Sequence, residues 1–272
     1  MSNVCVVHLV RKINGVGPFK TFIESYKKYP AGIGHGLLII YKGFGREADI
    51  VPYEELLTET PHTYLKVADF GFDLRPYFIA AKKYNYQYFC FLNSFSVIQD
   101  KDWLNKLYSQ INQPNVGLVG ASGSWGYVRP GQVKKNLPLH KKLVRILIIK
   151  WVGKFLGSYF DPFPNYHIRS NGFMIARDNM LKIKYGLIFS KMNAWILESG
   201  KSSITRQIEQ MGLKSIVVGK DGKGYEKYVW DISNTFWRGT QENLLISDNQ
   251  TRKFDMASPE WRRESELFAW GK

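Results

Sequence analysis

The chain has 272 residues, with 38 Lys and Arg against 23 Asp and Glu, a formal net charge of +15. Its 44% hydrophobic and 15% aromatic content can bury a large core, which excludes a disordered or collagen-like chain. The positive field favours phosphates, nucleic acid or an anionic membrane surface, while Cys5 and Cys90, each in an apolar run, read as buried thiols in a reducing compartment rather than a disulfide scaffold or metal cluster.

The N-terminal stretch turns charged too soon for a secretory signal, and Val4–Val10 reads as a first strand. No run of about 18 apolar residues is present, so no membrane span is expected. Phe19, Phe22, Ile23 and Tyr26 give Pro18–Tyr29 a helical period. Gly36–Tyr41 is a second buried strand, broken by Gly43 and Gly45. A short helix begins at Tyr53–Leu57, a strand is expected at His62–Val67 and a helix at Leu74–Tyr84. Tyr86–Leu92 is a fully buried strand, Asp102–Gln110 a helix and Val116–Val119 a further strand. This alternation predicts an α/β fold: a mostly parallel central sheet, Rossmann-like and flanked by helices. Functional groups then gather beyond the strand ends, at Arg11–Gly17, Lys42–Gly45, Asp69–Asp73, Asn93–Ser96 and Gly120–Gly126.

The second half is less regular. Gly131–Phe160 reads as a basic loop followed by a helix, and Asp161–Asn165, with two prolines, as irregular. Phe173–Ala176 is a short strand, Ser202–Met211 a helix closed by Gly212, and Lys214–Val218 a strand. A polar tail with scattered aromatics runs from Gln241. No repeat or low-complexity linker interrupts the chain. One domain over 1–272 is expected, in two parts, 1–126 and 127–272, the second carrying the basic helix and the tail.

Several segments offer chemistry, each with a plainer alternative. The Arg11–Gly15 turn could cradle a base or phosphate, or simply turn the chain; it carries no Walker A or dinucleotide fingerprint. Asn93, Ser94 and Ser96 could hydrogen-bond a sugar or pyrophosphate, or cap the following helix. His167 and Arg169 share one face of an extended strand and could meet a phosphate, or His167 could act as acid or base. A loop-fixing histidine is the alternative. Glu198 is a candidate general base or a capping residue. Lys220, in a glycine-rich turn, could cover a phosphate or belong to a surface loop. The aromatics and amides of Trp230–Gln250 suit sugar stacking, a single-stranded nucleic-acid platform, or a packed chain end. Lys134–Lys154 holds seven basic residues and no acid. It fits a helix on an anionic membrane, or a helix with a solvated basic face.

Taken together, these segments resemble nucleotide-sugar-dependent glycosyltransferases of the GT-A fold, notably bacterial enzymes of cell-surface polysaccharide assembly. Asp69-Phe70-Gly71-Phe72-Asp73 resembles the aspartate and glycine turn of that superfamily. Phe91-Leu92-Asn93-Ser94-Phe95-Ser96 stands where an acidic DxD motif would be. Asn115–Gly126, Pro164–Ile175, Glu198-Ser199-Gly200, Val217–Tyr225 and Trp237–Thr251 extend the resemblance over most of the chain. The resemblance implies a glycosyltransferase that moves a sugar from a nucleotide-sugar to a hydroxyl of a glycan or lipid-linked acceptor. Arg11, Asn14, Lys42, Asp69, Asn93, Ser94, Ser96, Arg169 and Lys220 would bind the donor. Ser124, Trp125, Asn171 and Trp237 would bind the acceptor, and Glu198 and His167 would be catalytic. Asn93 and Ser96 replace both DxD acids. No metal ligand is therefore assigned, and either a Mg²⁺ or Mn²⁺ cofactor or basic side chains would meet the diphosphate. The expected setting is the cytoplasm, peripheral to the inner face of the plasma membrane through Lys134–Lys154, with no nucleic-acid partner. The rival readings are a nucleic-acid- or anionic-membrane-binding module and a catalytically inactive GT-A-like protein.

Overall fold

A computed structural model describes residues 3–126, 153–186, 188 and 190–271. The expected basic helix at Lys134–Lys154 lies outside these residues, apart from its last two positions. In chain order the first half runs β1 (Val4–Arg11), α1 (Gly17–Lys28), β2 (Gly36–Lys42), α2 (Val51–Glu54), β3 (Thr63–Val67), α3 (Leu74–Lys83), β4 (Tyr88–Leu92), β5 (Val97–Ile98), α4 (Trp103–Ile111), β6 (Val116–Gly120) and β7 (Gly123–Ser124). The second half adds β8 (His167–Ile168), β9 (Gly172–Ala176), α5 (Arg177–Lys182), α6 (Lys191–Ser199), α7 (Ile204–Gln210), β10 (Lys214–Val218), β11 (Gly224–Glu226), β12 (Ile246–Ser247), α8 (Asn249–Asp255) and α9 (Pro259–Trp270).

The central sheet has eight strands in the order β11-β10-β6-β9-β4-β1-β2-β3. β1 pairs in parallel with β2 and β4, β2 with β3, and β6 with β10. The sheet is mixed, because β9 runs antiparallel between β4 and β6, and β11 runs antiparallel on the edge. β9 enters from the short strand β8 rather than from a crossover helix, and without such a crossover a strand is free to run antiparallel.

β1 shows why the first half is readable. Its VCVVHLV run is buried on both faces, as a parallel strand under two helical layers must be. The period of two sends Cys5, Val7 and Leu9 to one core and Val4, Val6 and Val10 to the other. The second core meets Phe19, Phe22 and Ile23 of α1, which share one helical stripe behind a proline in the first turn. Both cysteines are free and buried.

The direction of the chain reverses at β1. β2 and β3 lie on one side of it and β4 on the other, so a topological switch point opens between the carboxyl ends of β1 and β4. The C-terminal part differs from the expected polar tail, because it forms α8 and α9. Asp248 caps α8 by accepting from the Gln250 and Thr251 N–H groups, and Ser258 caps α9. The apolar run before Ser202 is α6, started by a Ser190–Asn193 capping box. Among the described residues, no helix is long and apolar enough to cross a membrane.

Candidate functional site

The strand ends bring four distant residues together. Lys42 Nζ lies 3.3 Å from Asp69 Oδ1, and Arg11 lies 3.7 Å from Asp69 and 3.9 Å from Asp73. The turn at Gly43 makes this possible. Its φ of +84° suits glycine, and its N–H donates to the Val67 carbonyl at 3.0 Å. A Cβ there would sit 3.1 Å from the Asp69 Cβ. The Lys42 side chain is only 2% exposed, so burial lowers its pKa and the Arg11 charge adds to this, while Asp69 opposes. Burial lifts the Asp73 carboxyl above its usual range, against Arg11 and Lys42, and the Glu198 and Asp69 charges add to the lift.

Next to this cluster, at the switch point, lies a crevice too tight to admit a water molecule, lined in part by His8, Arg11, Asn14, Gly15 and Ser94. Buried polar atoms collect there without hydrogen-bond partners: both His8 ring nitrogens, Arg11 Nε, Asn14 Nδ2 and Ser94 Oγ. Each such atom costs about 1–3 kcal/mol when left unmet. Arg11, Asn14 and Ser94 thus hold unused hydrogen-bond donors at this end of the sheet. His8 stacks flat on Phe22 with centroids 3.7 Å apart, and burial pushes its pKa down to about 3.

The second part of the site is a cavity of about 500 Å³. β8 brings His167 to its wall and the following turn brings Arg169. α6 brings Trp195, Glu198 and Ser199, and the C-terminal segments bring Phe236, Trp237, Gln250 and Phe268. Glu198 sits in the last turn of α6, where the helix dipole disfavours a carboxylate. The Ser170 N–H donates to its Oε1 at 2.9 Å and offsets this. A residue placed against a local preference is common at functional positions. His167 Nδ1–H donates to the Asn165 carbonyl at 2.9 Å, which leaves Nε2 as the acceptor of a neutral ring. Burial holds His167 below the usual histidine range, with the Glu198 charge pulling the other way. Arg169 is already committed: it donates to Asp248 Oδ2 at 2.7 Å and to Ser122 Oγ at 3.2 Å, and lies 4.0 Å above the Phe236 ring.

The two parts adjoin. The Glu198 charge acts on the Asp73 carboxyl, and Glu198 and Leu74, the neighbour of Asp73, line one small cavity.

The sequence-derived candidates divide accordingly. Arg11, Lys42 and Asp69 converge, with Asn14 and Ser94 beside Arg11. His167, Arg169, Glu198, Ser124 and Trp237 line the cavity. Other candidates stand outside both groups or are engaged within the fold. Ser96 is fully buried and its hydroxyl donates within the core, to the Asn171 carbonyl and Asn93 Oδ1. Asn93 Oδ1 also accepts from the Phe95 N–H, so this side chain closes its own turn. Asn171 is 1% exposed and ties Ser122 to the Ile246 carbonyl. Trp125 packs against Trp270 and Tyr166 and donates to the Lys227 carbonyl, away from the cavity lining. Lys220 lies on the β10–β11 turn, where its N–H donates to Asn243 and its charge acts on Asp100. Sequence reasoning does not select His8, Trp195 or Phe268, and it reaches Asp248 only as part of the Trp230–Gln250 stretch. Trp195 carries a usable signal, since it stands three residues before Glu198 and shares its helical face.

The donor set does not fit a divalent metal. Hard cations need convergent carboxylates, yet Asp69 and Asp73 face two cationic side chains and the end of β4 offers amide and hydroxyl groups. Among the described residues, no group of three or more His, Cys, Asp or Glu could hold a metal ion.

No family model and no curated protein matches the chain. Solved structures do. The mannosyltransferase PcManGT from Pyrobaculum calidifontis, in complex with GDP-Man and Mn²⁺, is similar at 10% identity and a TM-score of 0.49, over 83% of this chain and 56% of that one. Glucosyl-3-phosphoglycerate synthase from Mycobacterium tuberculosis, with Mn²⁺, UDP and phosphoglyceric acid, is similar at 12% identity and a TM-score of 0.41, over 76% of this chain and 62% of that one. S. aureus TarS 1-349 is similar at 12% identity and a TM-score of 0.36, over 51% of this chain and 38% of that one. The chain thus spans little more than half the length of the mannosyltransferase.

Proposed function

We propose that this chain is a glycosyltransferase that moves a sugar from a nucleotide-sugar donor to an acceptor hydroxyl, in surface polysaccharide synthesis at the cytoplasmic face of a membrane. The observation that carries this reading is the pairing of two unlike sites: a cationic cluster with unpartnered donors at the switch point, and an adjoining cavity with one carboxylate on its wall. The donor nucleotide would lie over the ends of β1 and β4, where Asn14 and Ser94 have hydrogen-bonding capacity to give. Arg11 and Lys42 would face the diphosphate and stabilise the charge that develops as it leaves, without a metal. Glu198 would take the proton of the acceptor hydroxyl as that oxygen attacks the anomeric carbon. His167, held neutral, would accept a hydrogen bond from the same acceptor. Inversion at the anomeric carbon follows from a single displacement of this kind.

Two measurements test the reading. UDP or GDP should raise the melting temperature, equally with and without Mn²⁺ or Mg²⁺. Glu198→Gln should keep that shift while lowering transfer by roughly 10²- to 10⁴-fold. Unchanged turnover in the variant would remove Glu198 as the base, and no shift with any nucleotide diphosphate would overturn the donor assignment.

A further inference from the structure

We propose that the cavity beside Glu198 binds a neutral saccharide, held by its ring faces between aromatic walls, and not an acyl chain or a phosphorylated ligand. That this saccharide is the acceptor rests on the transferase reading; that it binds does not.

The walls carry the argument. Trp195 and Glu198 stand three residues apart on α6 and both line the cavity, so they share one helical face. A pyranose lying with its C–H face on the Trp195 ring therefore has its hydroxyl edge beside the Glu198 carboxylate. Trp237 and Phe268 supply further aromatic surface from C-terminal segments, with Phe236, 4% exposed, packed between Trp237 and the Arg169 guanidinium. Phe236 and Trp237 stack at 4.6 Å, and Trp237 and Phe268 lie 6.2 Å apart, forming one continuous shelf. Trp195 and Phe268 are each 38% exposed, and the Lys191 ammonium lies 4.9 Å from the Trp195 ring centroid, on one side of the ring.

The polar groups decide the class of ligand. Glu198, His167, Gln250 and Ser199 are interspersed with the rings. A hydrocarbon chain would bury these groups against surface that offers no hydrogen bond. A saccharide supplies hydroxyls that both donate and accept. Charge argues against the phosphorylated alternative, because Arg169, the one Lys or Arg among the described lining residues, already pairs with Asp248 at 2.7 Å. Glu198 has no ion pair of its own among the described residues, so its charge opposes an anion placed beside it. The volume of about 500 Å³ lies within the range of about 300–1,000 Å³ usual for small-molecule sites.

The test is saturation-transfer NMR on the full chain with three probes: a set of neutral disaccharides (maltose, cellobiose, lactose), sodium decanoate, and glucose 6-phosphate. Ring C–H protons of at least one disaccharide should receive saturation, and decanoate and glucose 6-phosphate should not compete. Trp195→Ala, at a half-exposed helix position, should weaken the disaccharide roughly tenfold. Phe268→Leu, with its melting temperature checked, provides a second variant that should act in the same direction. Absence of disaccharide binding, displacement by decanoate, or full-strength binding in both variants would overturn the proposal. Stabilisation by UDP or GDP without disaccharide binding would overturn it while leaving the transferase reading intact. Disaccharide binding without any nucleotide response would uphold it and defeat the transferase reading.

Discussion

The cluster at the strand ends and the cavity beside Glu198 are built in different ways. The cluster takes Arg11, Lys42, Asp69 and Asp73 from consecutive strand exits, and parallel pairing brings those exits to one edge. Its geometry depends on register and on one turn, at Gly43. The cavity takes its lining from β8, α6 and three C-terminal segments, and it is closed by single long-range contacts. The Arg169–Asp248 pair, 79 residues apart in sequence, is one of them. Polar atoms in the first region are left without partners, whereas Arg169 in the second is fully engaged. On the proposed function, the first region would receive an anion, and the second would hold a neutral group against a carboxylate.

The largest effect expected from breaking this contrast is on stability. Asp248→Ala removes the α8 cap and leaves Arg169 with its charge unpaired and its side chain only 12% exposed. A loss of about 3–5 kcal/mol is expected in urea unfolding, with the nucleotide response of the surviving folded protein retained. A loss below about 1 kcal/mol would mean that the pair does not anchor the cavity.

Acid should reveal the buried histidine behind the first region. The folded pKa of His8, about 3, lies below the unfolded value of about 6.5. Between these values the unfolded chain binds the extra proton, so stability falls as the pH falls. From pH 7 to 4 this contributes a loss of about 3 kcal/mol, to which His167 adds in the same direction. His8→Leu should flatten most of that slope in melts recorded across the range. An unchanged slope would place the acid sensitivity elsewhere.

The smallest effect sharpens the contrast most. Arg11→Ala should weaken UDP or GDP binding roughly tenfold, while disaccharide binding in the cavity stays the same. Equal weakening of both would mean that the two regions form one electrostatic unit.

Legibility in the sequence follows the same division. Strand exits can be read from apolar runs ending in glycine or polar residues, so Arg11, Lys42 and Asp69 stand out from the sequence alone. Asn93 and Ser96 stand out on the same logic. Asn93 Oδ1 and the Ser96 hydroxyl turn inward because the turn after β4 must satisfy its own backbone, a local competition that a strand-end rule does not register. Trp125 and Asn171 stand in polar, aromatic-rich stretches but serve in packing and bracing, since burial depends on what lies opposite. His8 escapes notice because an apolar strand hides a single histidine.

By itself the sequence determined the alternating αβ order, the two-faced burial of β1 and the gathering of basic and acidic side chains at one edge of the sheet. Periodicity and strand direction are local properties, and they suffice for these. Only the tertiary structure decided the antiparallel insertion of β9, the pairing of Arg169 with Asp248 and the aromatic shelf opposite Glu198. Each of these depends on segments distant along the chain, whose contacts are selected by packing and charge balance in the folded molecule.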